Sequence, residues 1–281
     1  MVEGRGFLSR LLRLYLPLAV CLVAMLFPFY WMLITSIKPN RELYSAKIMP
    51  LIVYQPTLKH YYDLFADTNF LQWTYNTMLV AIITTAVSLV LGAMVAYPLA
   101  RLNFPGAAVV AIGVAATYLV PQPLLFIPMA DIINRLELGN TLSAVMLTYP
   151  TLLIPFCAWL LMGYFKSVPR ELEEAARIDG ASRFQAMWRV VLPLTTPGLL
   201  SAGIFAFTLA QNEFLYALIF LAKSDVRTVP VGAITELIRG DVFYWGQLMA
   251  AALLGSVPVA VIYSFFVDYY VAGLTAGSVK S

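Results

Sequence analysis

The sequence predicts an all-α, polytopic membrane protein: six transmembrane helices, with a charged helix–turn–helix between the fourth and fifth. Three observations predict it. Of 281 residues, 61% are hydrophobic and only 12% charged, against about 25% charged in a soluble globular chain. Six apolar runs are long enough to cross ~30 Å of hydrocarbon at ~1.5 Å per residue. One densely charged stretch, EAARIDGASRFQAMWRVVLP from Glu174 to Pro193, interrupts them.

The runs fall at about 14–36, 74–100, 107–130, 142–165, 198–221 and 247–271, all within a single domain of residues 1–281, and a loop at 166–197 joins the fourth to the fifth. The first run follows Arg5, Arg10 and Arg13, which is how a signal peptide begins. It is about twice as long as a signal peptide's apolar core and no A-x-A site follows, so it is expected to be retained. With the N-terminus inside, the cytoplasmic side holds ten cations: Arg5, Arg10, Arg13, Arg101, Lys166, Arg170, Arg177, Arg183, Arg189 and Lys280. Eight face outward: Lys38, Arg41, Lys47, Lys59, Arg135, Lys223, Arg227 and Arg239. The three arginines ahead of the first span decide the orientation, placing both termini and the charged stretch in the cytoplasm. Of the outer loops, those at about 37–73 and 222–246 are large enough to fold. The latter carries Gly240-Asp241 and the aromatic pair Tyr244-Trp245, which suits a membrane interface or a protein partner.

Prolines mark the spans as irregular: Pro28, Pro98, Pro121, Pro123, Pro128, Pro155 and Pro258. Each removes a backbone donor and needs a neighbouring helix or a wet cavity to satisfy the freed carbonyl. VPQPLLFIP at 120–128 is expected to break or bend the third span. Small residues at Ala250, Ala251, Ala252, Gly255 and Ser256 permit close packing of the sixth. Such irregularity serves either kinked packing alone or a pathway between helices that rearrange. Within the fifth span lie Gln211, Asn212 and Glu213, with Tyr216 one turn beyond Asn212. A carboxylate at that depth costs several kcal/mol unless it meets water or a partner, so the group is a functional candidate. The alternative is that Glu213 bonds a neighbouring helix end. Asp268 is expected at headgroup level.

Other chemistries find little material. Cys21 and Cys157 sit in apolar runs as small hydrophobes, and His60, the single histidine, stands in a polar loop without partners for a metal. The net charge of +3 is too small to argue for nucleic acid. There is no H-E-x-x-H, no nucleophile elbow and no G-x-x-x-x-G-K phosphate loop. An ion-coupled secondary transporter would need midplane carboxylates and commonly inverted repeats; Glu213 is one candidate and no repeat is visible.

The charged stretch reads as two short helices. Pro169 suits a first turn, and Glu171, Glu173 and Glu174 favour the positive end of a helix that should run to Ile178. Gly180 supplies the turn. Ser182 with Gln185 forms a capping box for a second helix that should stop by Leu192, before Pro193. Leu172, Ala175, Ala176 and Asp179 share one face, and the two alanines make it flat enough for another protein to approach closely. A solvated loop helix is the plain alternative.

Glu174-Ala175-Ala176, Asp179-Gly180-Ala181 and Leu192-Pro193, closed by Pro197, resemble the EAA signature of bacterial ABC importer permeases. Lys38-Pro39, Asn212-Glu213-Phe214-Leu215 and Gly273-Leu274-Thr275-Ala276-Gly277 are similar to the carbohydrate-uptake branch, in the second permease of the maltose type. Asp268-Tyr269-Tyr270 departs from the Gln-Arg-aromatic run frequent there.

The resemblance implies an ATP-driven importer of a sugar or oligosaccharide, working by alternating access in the bacterial cytoplasmic membrane. It implies a second, distinct permease subunit, two copies of a cytoplasmic ATPase, and an extracytoplasmic sugar-binding protein that meets the loop at 222–246. No cofactor is expected in this chain, since ATP and Mg would be bound by the ATPase. Glu174, Ala175, Ala176, Asp179, Gly180 and Ala181 would couple to that ATPase, with the C-terminal tail also reaching towards it. Phe207, Gln211, Asn212, Glu213 and Tyr216 are the candidates for the sugar's path, the aromatic rings offering apolar faces and the amides bonding hydroxyls.

Overall fold

Backbone polar groups inside hydrocarbon must bond within their own segment, which makes helices the default for such apolar runs. The computed structural model describes residues 11–276, with side chains as far as Val267. Arg5, Arg10, Gly277, Lys280 and the side chain of Asp268, all used above, lie outside the described residues.

After a π turn at Leu11–Tyr15, the helices are α1 (Leu16–Ile37), α2 (Lys59–Asp67), α3 (Phe70–Arg101), α4 (Ala107–Tyr118), α5 (Gln122–Arg135) and α6 (Leu142–Ser167). They continue as α7 (Arg170–Ile178), α8 (Arg183–Leu194), α9 (Thr196–Gln211), α10 (Leu215–Phe220), α11 (Val229–Leu237) and α12 (Trp245–Ala276). Two-residue strands, β1 (Ile238–Arg239) and β2 (Val242–Phe243), pair antiparallel across Gly240, whose φ of +58 suits the first position of a two-residue hairpin turn. Phe243 stacks on Trp245 at 5.1 Å, and the Arg239 guanidinium lies 5.8 Å from the centre of the Tyr244 ring.

Among the described residues, Leu11–Ile37, Phe70–Arg101, Leu142–Ser167 and Trp245–Val267 are each long and apolar enough to cross a membrane. Two further pairs pass the same test only together, each bent sharply: α4 with α5 by 94°, and α8 with α9 by 80°. Pro28, Pro98, Pro155 and Pro258 sit inside continuous helices. At VPQPLLFIP the expected break does occur, because Pro121 precedes α5 and Pro123 falls in its first turn, where a missing donor is no loss.

Two boundaries depart from expectation. The run 198–221 is not one helix: it stops at Gln211 and restarts at Leu215. The Glu213 carboxylate accepts from the backbone N–H groups of Tyr216 (2.9 Å) and Ala217 (3.2 Å), so it starts a new helix. The second helix of the charged stretch does not end before Pro193 but runs to Leu194. A π turn at Met187–Val191, closed by the Leu192 N–H on the Met187 carbonyl, precedes the proline and widens the ladder there.

The chain divides into two compact units, one reaching to Phe70 and including Ala233–Val257, the other holding Leu71–Gly232 and the helix from Pro258. In the first, Lys38 donates to the carbonyl of Pro50, and Glu42 accepts from the N–H groups of Tyr54 (3.1 Å) and Gln55 (2.9 Å). His60 is buried at the start of α2 rather than loose in a loop, with Nε2 2.7 Å from the Lys38 carbonyl and its ring packed on Gly246.

In the second unit, Val80 and Ala81 of α3, Tyr149 and Cys157 of α6, Ala206 of α9 and Tyr216 of α10 belong to one core. Another forms where Ala93, Ala96, Tyr97 and Ala100 of α3 meet Leu161 and Phe165 of α6, Met187, Val191 and Leu192 of α8, and Ala202 of α9. Polar groups at Trp73, Asn76 and Thr77 fasten the loop before α11. They bond the carbonyls of Ser224, Asp225 and Arg227 and the N–H of Val229 at 2.8–2.9 Å.

A Cβ on Gly232 would run into the Trp73 indole, which is fully buried and held by its bond to Ser224. Gly232→Ala is therefore expected to cost about 1–3 kcal/mol, the usual penalty of overpacking. The control is Gly163→Ala, since a Cβ at Gly163 meets nothing within 4 Å. Thermal unfolding in detergent should separate them, Gly232→Ala melting several degrees lower and Gly163→Ala at or above the parent.

Candidate functional site

Two places gather the candidates. The first is the α7–α8 segment. Pro169 precedes α7, and Gly180 takes φ +92, a left-handed conformation that side chains rarely adopt. The N–H of Ala181 reaches the Ala176 carbonyl (3.0 Å) and that of Gly180 reaches Arg177 (3.1 Å). This pair of bonds around a left-handed glycine is the Schellman termination of a helix. The capping box is complete: Ser182 Oγ accepts from the Gln185 N–H at 3.2 Å, and Gln185 Oε1 accepts from the Ser182 N–H at 2.8 Å.

Glu174, Ala175, Asp179 and Gly180 are exposed on this segment, while Ala176 and Ala181 are half-buried. Among the described residues, Glu174 makes no ion pair. The same segment carries bare apolar side chains: Leu172 is 45% exposed, Phe184 60% and Ile178 86%. Met187 and Trp188, adjacent in sequence, divide: Met187 is buried in the second core while Trp188 stays exposed, its ring 6.0 Å from Phe184. Glu173 stands in the first turn of α7 with Glu171, as expected, but faces inward. It is buried, with its Oε1 accepting from the Tyr97 hydroxyl at 2.5 Å and its Oε2 lying 3.5 Å from Arg101 Nε.

The second place is a cavity of about 570 Å³ at the two helix breaks of the membrane region. Tyr118, Val120 and Gln122 line it from the α4–α5 bend, Tyr149, Leu152 and Leu153 from α6, and Thr208 to Leu215, apart from Gln211, from the α9–α10 break. Interrupted helices lining a cavity are the usual form of a substrate or ion pathway in a membrane protein. Of the path candidates, only Asn212 and Glu213 reach its wall. Gln211 is buried, and Phe207 and Tyr216 are packed in the first core, Tyr216 stacked on Phe220 at 6.0 Å and edge-on to Phe126 at 5.8 Å. Tyr118, Gln122 and Thr208 were missed as wall residues. The break at Pro121 was the only signal that pointed to the first two.

Apolar helices, a cavity at their breaks and a two-helix knob packed on the second core are the features of a membrane component of a transport system. The chain belongs to the family described as the binding-protein-dependent transport system inner membrane component, which matches residues 88–275.

Its sequence is 38% identical to the sulfoquinovosyl glycerol transport system permease protein SmoH of Agrobacterium fabrum, over 95% of this chain and 93% of that one. It is 34% identical to the trehalose/maltose transport system permease protein MalG of Thermococcus litoralis, over 95% and 97% respectively. Its fold is that of a chain in a bacterial ABC transporter involved in import of the acidic polysaccharide alginate: TM-score 0.78, 19% identity, 96% of this chain and 100% of that one covered.

Proposed function

We propose that this chain is the membrane-spanning permease subunit of an ATP-driven importer for a sugar or oligosaccharide. The observation that carries it is the α7–α8 knob: a capped, glycine-hinged pair of helices with the EAA pattern, exposing Leu172, Ala175, Ile178 and Phe184, and a Glu174 that makes no ion pair among the described residues. An exposed apolar patch rimmed by charge is the mark of a protein partner, and an ATPase must come from outside because the chain has no phosphate loop.

On this reading two copies of a cytoplasmic ABC ATPase bind and hydrolyse ATP with Mg, and this chain carries no cofactor. One ATPase holds the knob through Glu174, Ala175, Ala176, Asp179, Gly180 and Ala181. A distinct second permease completes the pathway, an extracytoplasmic binding protein delivers the sugar, and both termini lie in the cytoplasm. The sugar assignment is supported by what the two sequence relatives are named for. In the cavity, Tyr118 offers a ring face and Gln122, Asn212 and Thr208 offer hydrogen-bonding groups, a combination suited to hydroxyl-rich solutes. Closure of the ATPases drives the knob, and the two states differ in how the helices beside the cavity pack; without differential contacts no coupling would result.

Glu174→Lys tests the reading. A charge-assisted hydrogen bond contributes about 1.5–3 kcal/mol, so ATP hydrolysis stimulated by the loaded binding protein should fall roughly tenfold or more. The measurement is ATPase activity of the purified complex in lipid nanodiscs. Unchanged stimulation, or no association of the parent chain with any ATPase, sinks the assignment.

A further inference from the structure

We propose that Glu173, Tyr97 and Arg101 form the joint through which movement of the α7–α8 knob is passed to α3. The inference rests on the coupling role proposed for that knob. Glu173 is the one charged residue of α7 that is buried; Arg170, Glu171, Glu174 and Arg177 are all exposed. Its carboxylate is shared. Tyr97 donates to Oε1 at 2.5 Å, and Arg101, with a side chain only 2% exposed, places Nε 3.5 Å from Oε2. The Tyr97 oxygen also lies 3.3 Å from the carbonyl of Arg183, the first residue of α8. Arg101 is the last residue of α3, and its Nε and Nη2 are both buried without a hydrogen-bond partner, so its tie to Glu173 is charge attraction alone.

The knob is chained to α6 and α9 by the backbone itself, but α3 is remote in sequence. Apart from this joint, Met187, Val191 and Leu192 share a core with Ala93, Ala96 and Ala100, a smooth apolar face of α3. Alanine surfaces allow sliding; a buried ion pair does not, since separation leaves an uncompensated charge out of water. A push on the exposed face of α7 therefore carries the end of α3 with it. Tyr97 stiffens the joint from a third side, its ring edge-on to Phe165 of α6 at 6.4 Å.

The test uses the assembled complex in nanodiscs, with nitroxide labels at Val90 in α3 and Leu218 in α10 after Cys21→Ser. Distances are measured with and without Mg-ATP plus vanadate, alongside ATP hydrolysis. In the parent, the nucleotide should move the label pair to a second distance. In Glu173→Gln, which keeps an acceptor for Tyr97 but loses the charge opposite Arg101, hydrolysis should persist. The fraction of molecules reaching the second distance should fall about tenfold. Tyr97→Phe, which keeps the ring, should give a smaller loss in the same direction.

The double variant Glu173→Gln with Arg101→Gln removes the stranded charge. It should regain thermal stability without regaining the movement. A merely structural pair predicts the opposite, with movement returning together with stability, and that result overturns the joint, as does parental movement in the single variants. A parent complex that hydrolyses no ATP, or shows no nucleotide-driven distance change, sinks the coupling reading itself.

Discussion

Gly180→Val is expected to reduce transport, and the stimulation of ATP hydrolysis by the loaded binding protein, by about tenfold or more in a complex that still assembles. Gly180 holds φ +92 between the two helices of the knob. A left-handed conformation costs an ordinary residue roughly 1–2 kcal/mol, and a β-branched one more. A Cβ there would meet nothing within 4 Å, so the penalty falls on the turn and not on packing. The chain relieves it by rotating out of the left-handed region, which breaks the Ala181-to-Ala176 bond and changes the angle between α7 and α8. Glu174 and Ala175 on one helix and Phe184 on the other would then no longer meet a partner surface together. Gly180→Asn is the matched control, because asparagine tolerates this conformation, and it should retain most activity. Normal transport and stimulation in Gly180→Val would show that the angle carries no coupling.

Glu213→Ala is expected to destabilise the protein by about 3 kcal/mol. It strips the acceptors from two buried N–H groups, on Tyr216 and Ala217, and each such loss costs about 1–3 kcal/mol. The same carboxylate stands on the cavity wall, so capping and transport must be separated. Glu213→Gln keeps one acceptor oxygen and should lie between parent and alanine variant in melting temperature. If Glu213 serves only as a cap, transport per folded molecule stays at the parental level in both variants. A loss of transport in Glu213→Gln at near-parental stability would instead make it a path residue.

What could be read in the sequence is what depends on near neighbours. The Ser182–Gln185 box, the left-handed glycine and the break at Pro121 follow from side chains within a few residues, and each formed as its spacing predicts. The restart of the helix at Leu215 was hidden because the apolar run continues through it. Only the reach of the Glu213 carboxylate to the next turn reveals it. Which rings face the cavity depends on how α9 and α10 are rotated. Phe207 and Tyr216 turned inward to the core, while Tyr118, on a different helix, took the wall. Glu173 was hidden most completely. In sequence it is one of several acids opening a helix, and its partner Tyr97 lies 76 residues away.

That separation has a consequence for biosynthesis. At about 5–20 residues per second, roughly 4–15 seconds of translation pass between the synthesis of Tyr97 and that of Glu173, 76 residues later. Through this interval Arg101 has no Glu173 to neutralise it and must stay hydrated at the membrane surface. A hydrated arginine at that position is expected to hold the end of α3 against sliding inward. When the carboxylate arrives, the arginine can leave the water and take the buried place it has in the finished fold. A newly made chain truncated before Glu173 should therefore keep Arg101 accessible to water-soluble arginine reagents, and the full chain should shield it.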